Sequence, residues 1–367
     1  MRIGIVDADL IGRKKHRFPN LACMKISGFH RDIGDSVDLL TDYDSIRMYD
    51  KVYISKVFTD TPVPDSILSL DNVSYGGTGF FYDKSPKLEH DVEHHFPDYH
   101  LYDKYVEGKM LGGGSKKEFQ FYTDFSIGFT TRGCIRGCSF CVNKNYRSCN
   151  VHSPLSEFVD NDRKYICLLD DNVLACRDWR SIFDALNKTG KRFQFKQGMD
   201  ERLLTDEKCE VIFNSAWYGD YIFAFDNIKD KDVVENKLKM IRRHTDKVPK
   251  FYCFCGYNHN SPDTYDDEFW RNDIRDLFER IEILFRYNAL PYIMRYKDYE
   301  KSEFRGLYVA IAAWCNQPRF AKKLSFNEFC LANYERNHRE IRRYADYFAE
   351  KNPDIAHRYY DIKFGFC

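Results

Sequence analysis

FSIGFTTRGCIRGCSFC, residues 125–141, reads as a short apolar strand running into a glycine-punctuated loop that carries Cys134, Cys138 and Cys141 in the spacing CxxxCxxC. It is the first of six runs of one kind. KYICLLDDN (164–172), RFQFKQGMDER (192–202), YIFAFDN (221–227), KFYCFCGYN (250–258) and LPYIMRYK (290–297) follow, each apolar at first and polar at its end. Their starts lie 28 to 40 residues apart, the length of a βα unit. Helical stretches fill the gaps. DWRSIFDALNKTG has Asp178 placed to cap it, and in TYDDEFWRNDIRDLFERIEILFRYNA Thr264 and Asp267 form a capping box. The pattern predicts a partial, six-unit parallel βα barrel with its chemistry at the C-terminal strand ends, where the polar clusters fall.

Upstream, residues 1–107 read as a small α/β unit. RIGIVDAD, KVYISKVF and NVSYGGTGFF are strands, and FPNLACMKISGFHRDIGD places Leu21, Met24, Ile26 and Phe29 on one helical face before Gly34. Alternating strands and helices imply a parallel sheet. EGKMLGGGSKK then reads as a flexible linker. The expected division is a first domain over 1–107, a linker over 108–118, the barrel over 119–300 and a helical C-terminal extension over 301–367.

Composition narrows the function classes. Lys+Arg and Asp+Glu each number 56, so the formal net charge is zero; a dedicated nucleic-acid binder shows a basic excess, although a local patch stays open. The apolar runs are strand-sized, short of a membrane span, and MRIGIVDADL lacks the features of a secretion signal. A cytoplasmic protein with no membrane partner is expected. Thirteen cysteines without such a signal argue for reduced, mostly buried thiols rather than disulfides. Cys253 and Cys255 are read as pointing to opposite faces of a strand, which speaks against a second metal cluster. The cysteines of the 134–141 loop alone have ligand spacing.

Three thiolates on one loop can hold three irons of a 4Fe-4S cubane and leave the fourth open. CxxxCxxC with an aromatic, Phe140, directly before the third cysteine resembles the signature of the radical S-adenosylmethionine (SAM) superfamily. The flanking TTRGC…GCSFC is similar to the subgroup with an N-terminal cobalamin-binding-like, flavodoxin-like domain before a partial (β/α)6 TIM-like barrel. The resemblance covers most of the chain in architecture and is sharply specific only at the cysteine loop. It implies SAM chelated at the open iron and cleaved reductively to a 5′-deoxyadenosyl radical, with the electron coming from an external flavodoxin- or ferredoxin-type reductant.

By the same resemblance, Phe140 packs near the adenine of SAM. Asp170 and Asp171, ending the second barrel strand, take the SAM amino group, although the common Gly-Gly-Glu form is absent. Gln197, Asp200 and Arg202 meet the SAM carboxylate or ribose, or pair with one another. Asp226 with Asn227, Tyr257 with Asn258, and Arg295 with Tyr296 face the same cavity. Ser55, Gly76 and Gly77 resemble loops that hug a cobalamin tail. The DxHxxG element is missing, however, so cobalamin stays an open alternative to a purely structural module. The substrate reading leans to a macromolecule, nucleic acid or peptide, with GRKKHR (12–17), PRFAKK (318–323) and RNHREIRRY (336–344) as candidate basic patches, and the YGGTGF loop is expected near the cavity rim. The rival reading is a non-catalytic zinc-binding interaction protein, with Cys149 as the near candidate for a fourth ligand.

Overall fold

The structure, a computed structural model, describes residues 1–262, 264–335 and 339–365. Residues 336–338 of the last basic stretch, and Cys367, lie outside the described residues. The chain is α/β with parallel sheets and divides into two compact units, Met1–Lys196 and Gln197–Cys367.

The first unit opens with strands β1 (Arg2–Asp7), β2 (Ser36–Leu40), β3 (Lys51–Ser55) and β4 (Val73–Gly76) in the parallel order β2-β1-β3-β4. Ile3, Ile5 and Val6 are fully buried. β1 therefore reads as an unbroken apolar run, as a strand covered on both faces does. β2 was not anticipated. SVDLL is five residues long with Asp38 at its centre, and register against β1, with Ile5 opposite Leu39, makes it a strand. The intervening helix spans Leu21–Asp32; Asn20 caps it by accepting from Cys23 N at 3.2 Å, and Gly34 leaves it at φ +88°. Where a linker is expected, the helix Asp103–Leu111 runs on to Leu111 before Gly112 and Gly113 end it.

The same unit continues with β5 (Phe125–Gly128), β6 (Thr131–Arg132), β7 (Asn150–Val151), β8 (Tyr165–Leu168) and β9 (Arg192–Phe195). β5-β8-β9 form a parallel sheet, and β6 and β7 a two-residue antiparallel ladder. Arg163 is buried and donates to the carbonyls of Tyr99, Tyr122 and Phe125, fixing where β5 begins. Helix Trp179–Lys188 buries Phe183 and Leu186. Asp178 holds the N-cap position, but its side chain makes no capping bond.

The second unit holds β10 (Ile222–Ala224), β11 (Lys250–Cys255) and β12 (Leu290–Arg295), again parallel and in chain order. All six runs expected as barrel strands are strands, three in each unit. Helix Asp267–Arg286 is capped by Asp266, whose carboxylate accepts from Phe269 N at 2.7 Å. The expected Thr264–Asp267 box gives way because the extended backbone at Asp266 already presents an acceptor to that N–H. Helices occupy most of residues 305–359. No helix among the described residues is long and apolar enough to cross a membrane.

One reading of β11 is corrected. Residues two apart on a strand share a face, and Phe251, Cys253 and Cys255 are all buried on one side. Burial pushes the Cys253 thiol up to about 12 and Cys255 and Cys315 well above their usual range. They behave as small apolar side chains.

Candidate active site at the cysteine loop

The loop that follows β5 is built by the chain on both sides of it. Its base is closed by β6 and β7, with Thr131 opposite Val151 and Arg132 opposite Asn150. Gly133 sits at φ +98°, and a Cβ there would lie 2.3 Å from the Ser148 carbonyl oxygen. No other residue type fits the turn that leads into Cys134. Gly137 adds a second positive φ of +59° before Cys138.

The carboxylates ending the β8 run hold this loop. Asp170 is 2% exposed. It accepts from Thr130 N at 3.0 Å, from Thr131 N at 2.7 Å and from both threonine hydroxyls. Burial pushes its carboxyl up to about 6, against the pull of those four donors. Asp171 accepts from Gly133 N and from Asn143 Nδ2, each at 2.7 Å, and so bridges the start and end of the cysteine segment. The two residues expected to receive an ammonium group are thus bonded to the loop itself.

The Cys134 and Cys141 thiols receive N–H donors. Asn172 Nδ2 lies 3.4 Å from Cys134 Sγ, and Asn143 N lies 3.4 Å from Cys141 Sγ. Cys138 O accepts from Cys141 N at 2.9 Å, which sets the turn between the second and third cysteines. All three cysteines are half-buried, whereas Cys149 is buried and its thiol is pushed up to about 12. Among the described residues no group of three or more His, Cys, Asp or Glu side chains could hold a metal ion as they stand. A cubane spreads its thiolates wider than one ion does, and this donor set suits it. The three thiols share one loop, and the N–H donors at the Cys134 and Cys141 sulfurs are the kind of contact that tunes iron–sulfur centres.

In the second unit, Gln197 is exposed just past β9. Arg202 donates to Asp200 at 2.8 Å and to Asp230 at 2.8 Å, so it pairs with its neighbours, one of the two readings its sequence allows. Asp226, after β10, accepts from Phe254 N at 3.0 Å, and burial raises its carboxyl. Asn227, Tyr257 and Asn258 line a cleft of about 290 Å³ with the start of helix Asp267–Arg286. Sequence reasoning missed Glu201, which is buried with its carboxyl pushed up to about 8 by desolvation and by Asp200. It also missed Asn143 and Asn172, although Asn172 closes the quoted LLDDN run.

The first sheet reverses its order between β1 and β3, the switch point where open α/β sheets take ligands. Here the loops bond to one another. Ser55 Oγ accepts from Asn20 at 3.0 Å, Asp9 accepts from Val57 N at 2.6 Å and from the Thr61 hydroxyl, and Lys56 Nζ donates to Thr61 O at 2.9 Å. A Cβ on Gly77 would lie 2.3 Å from Lys56 O. A Cβ on Gly76, by contrast, would meet nothing within 4 Å. Three arginines of the basic stretches are engaged internally. Arg13 pairs with Asp60 at 2.6 Å, Arg17 donates to the His16 carbonyl at 2.7 Å, and Arg342 pairs with Asp346 at 2.8 Å.

No protein-family model matches the chain, and no curated protein matches it either. Among solved structures it is similar to TsrM from Kitasatospora setae, a radical S-adenosylmethionine methyltransferase with cobalamin and a 4Fe-4S cluster bound. That match has 11% identity and TM-score 0.49, over 80% of this chain and 74% of that one. TsrM with tryptophan substrate and a SAM analogue matches at 12% identity and TM-score 0.47, over 80% and 72%. OxsB, a cobalamin-dependent S-adenosylmethionine radical enzyme with aqua-cobalamin and S-adenosylmethionine bound, matches at 12% identity and TM-score 0.38, over 99% of this chain and 57% of that one. Likeness at that level assigns no activity to this chain.

Proposed function

We propose that the chain is a radical SAM enzyme, with Cys134, Cys138 and Cys141 as the protein ligands of a 4Fe-4S cluster. The observation that carries this reading is the loop itself. Three half-buried thiols share one segment, Cys134 and Cys141 receive N–H donors, and two carboxylates and two threonines hold that segment in place. Cys134, Cys138 and Cys141 would hold the cluster, which would supply the reducing electron, drawn from an external donor, for cleavage of the S–C5′ bond of SAM.

The chain's own residues have distinct tasks. Asp170 fixes the Thr130–Thr131 backbone, and Asp171 joins Gly133 to Asn143, so the thiols are presented from a shaped loop rather than a mobile one. Phe140 is the side chain of this loop proposed to meet SAM. Arg202, tied to Asp200 and Asp230, is proposed to orient that acidic pair rather than to touch the ligand. The substrate is proposed to be a macromolecule, peptide or nucleic acid, and the electron to come from a flavodoxin- or ferredoxin-type donor.

Anaerobic reconstitution tests the assignment. The expected product is a brown protein with four irons and four sulfides per chain, forming 5′-deoxyadenosine when reduced with SAM. A colourless protein carrying stoichiometric zinc would support the non-catalytic reading instead.

A further inference from the structure

The turn after β4 reaches the cysteine loop. Tyr82 donates its hydroxyl to the carbonyl of Phe140, the residue before Cys141. The Asp83 carboxylate accepts from Asn145 Nδ2 at 3.1 Å and pairs with Lys144 Nζ at 3.2 Å, while the Asp83 carbonyl takes a second bond from the Asn145 amide at 3.3 Å. Lys144 Nζ also sits 5.5 Å from the Tyr82 ring centroid. Two consecutive residues of the short helix Tyr82–Lys84 thus hold the segment 140–145, which carries the third cysteine.

Two further features show that this turn is fixed rather than incidental. Tyr82 adopts φ +50°, ψ −115°, a region that a residue with a bulky side chain occupies only when its surroundings determine it. The base of the turn is clamped as well. Gly77 N–Cα–C packs on the Lys56 carbonyl, and a Cβ on Gly79 would lie 2.4 Å from Lys56 Cγ and 2.8 Å from Phe58 O. Asp171 grips the opposite side of the same segment through Asn143. Asn143 and Asn145, two residues apart, are therefore held by acids from two separate segments, Asp171 after β8 and Asp83 in the helix Tyr82–Lys84.

We infer that Tyr82 and Asp83 are positioning residues for the cluster. The first domain, whose own switch point is filled by internal hydrogen bonds, acts by holding Phe140–Asn145 and with it Cys141. This rests on the cluster reading above and adds to it the part of the chain that sets how firmly the third ligand is held. The role is indirect, since neither side chain is placed on iron or SAM.

The test uses the full chain, reconstituted, with Tyr82→Phe and Asp83→Asn, and with Asp60→Asn as a control on the Arg13 pair. The rate of iron loss to a strong chelator is read beside the melting temperature of the iron-free protein. Both latch variants should lose iron roughly three- to tenfold faster than wild type, the change expected from one ordinary hydrogen bond, while the control keeps the wild-type rate. Hydrogen exchange at residues 138–145 should rise in the latch variants, and the iron-free melting temperatures should stay close to wild type. Wild-type protein that loads iron, with latch variants losing it at the wild-type rate, overturns the latch alone. A melting temperature that falls in step with iron retention would reduce Tyr82 and Asp83 to general structural contacts and overturn it too. Wild-type protein that takes up no iron and sulfide overturns the cluster reading and the latch together.

Discussion

Asn172 directs its amide at Cys134 Sγ from 3.4 Å, and N–H donors at a ligand sulfur stabilise its negative charge. Asn172→Leu keeps the volume and removes the donor. The midpoint potential of the reconstituted cluster should fall by about 40 mV, the equivalent of roughly 1 kcal/mol for one electron, in a redox titration followed by electron paramagnetic resonance. Substituting Cys134, Cys138 or Cys141 by Ala should each abolish cluster binding and leave the far-ultraviolet circular dichroism of the chain largely unchanged. A full iron and sulfide complement in any of the three would refute the assignment. Asp170→Ala is a different lesion, because it strands the donors of Thr130 and Thr131 inside the protein. It should cost about 3 kcal/mol in urea unfolding even without iron. These roles were only half legible. The spacing of the cysteines announces their chemistry, whereas Asp170, Asp171 and Asn172 look like any polar strand end until Thr130 and Gly133, some forty residues earlier, are brought beside them.

At the scale of elements, the end of β1 carries a titratable group with a testable sign. Asp7 is fully buried and accepts from the Tyr102 hydroxyl at 2.9 Å; burial pushes its carboxyl from 3.8 to about 7. The native state therefore keeps a proton that the unfolded chain releases at lower pH. The stability this gives is complete below pH 3.8, declines as pH rises through the window, and is lost above about 7. Unfolding free energy measured at pH 5 and pH 8 should differ through this group by on the order of 2–4 kcal/mol, and Asp7→Asn should flatten the dependence. The strands themselves were readable because parallel strands covered on both faces are continuous apolar runs. β2 escaped notice, since five residues with a central aspartate carry little pattern of their own. β6 and β7 are two residues each and exist only through their pairing.

For the whole chain, loading with iron and sulfide and reducing in the presence of SAM should yield 5′-deoxyadenosine and methionine slowly even without substrate. The products are separable by liquid chromatography. A reduced, loaded protein that neither binds SAM nor forms 5′-deoxyadenosine would leave the thiols without the proposed chemistry. The order of elements, a small parallel sheet followed by six βα-like repeats, was legible because each strand run ends in its own polar cluster. The first domain's role was not, because Tyr82, Asp83, Lys144 and Asn145 lie about sixty positions apart and nothing in either stretch names the other. The ladder of Thr131–Arg132 with Asn150–Val151 shuts the cysteine segment into a ring, so the backbone pairing itself bears the entropy of closing that ring. Ile135, Arg136 and Gly137 face solvent at its tip. With its base paired, only the tip of the ring is left to rearrange around a group taken up at the thiols.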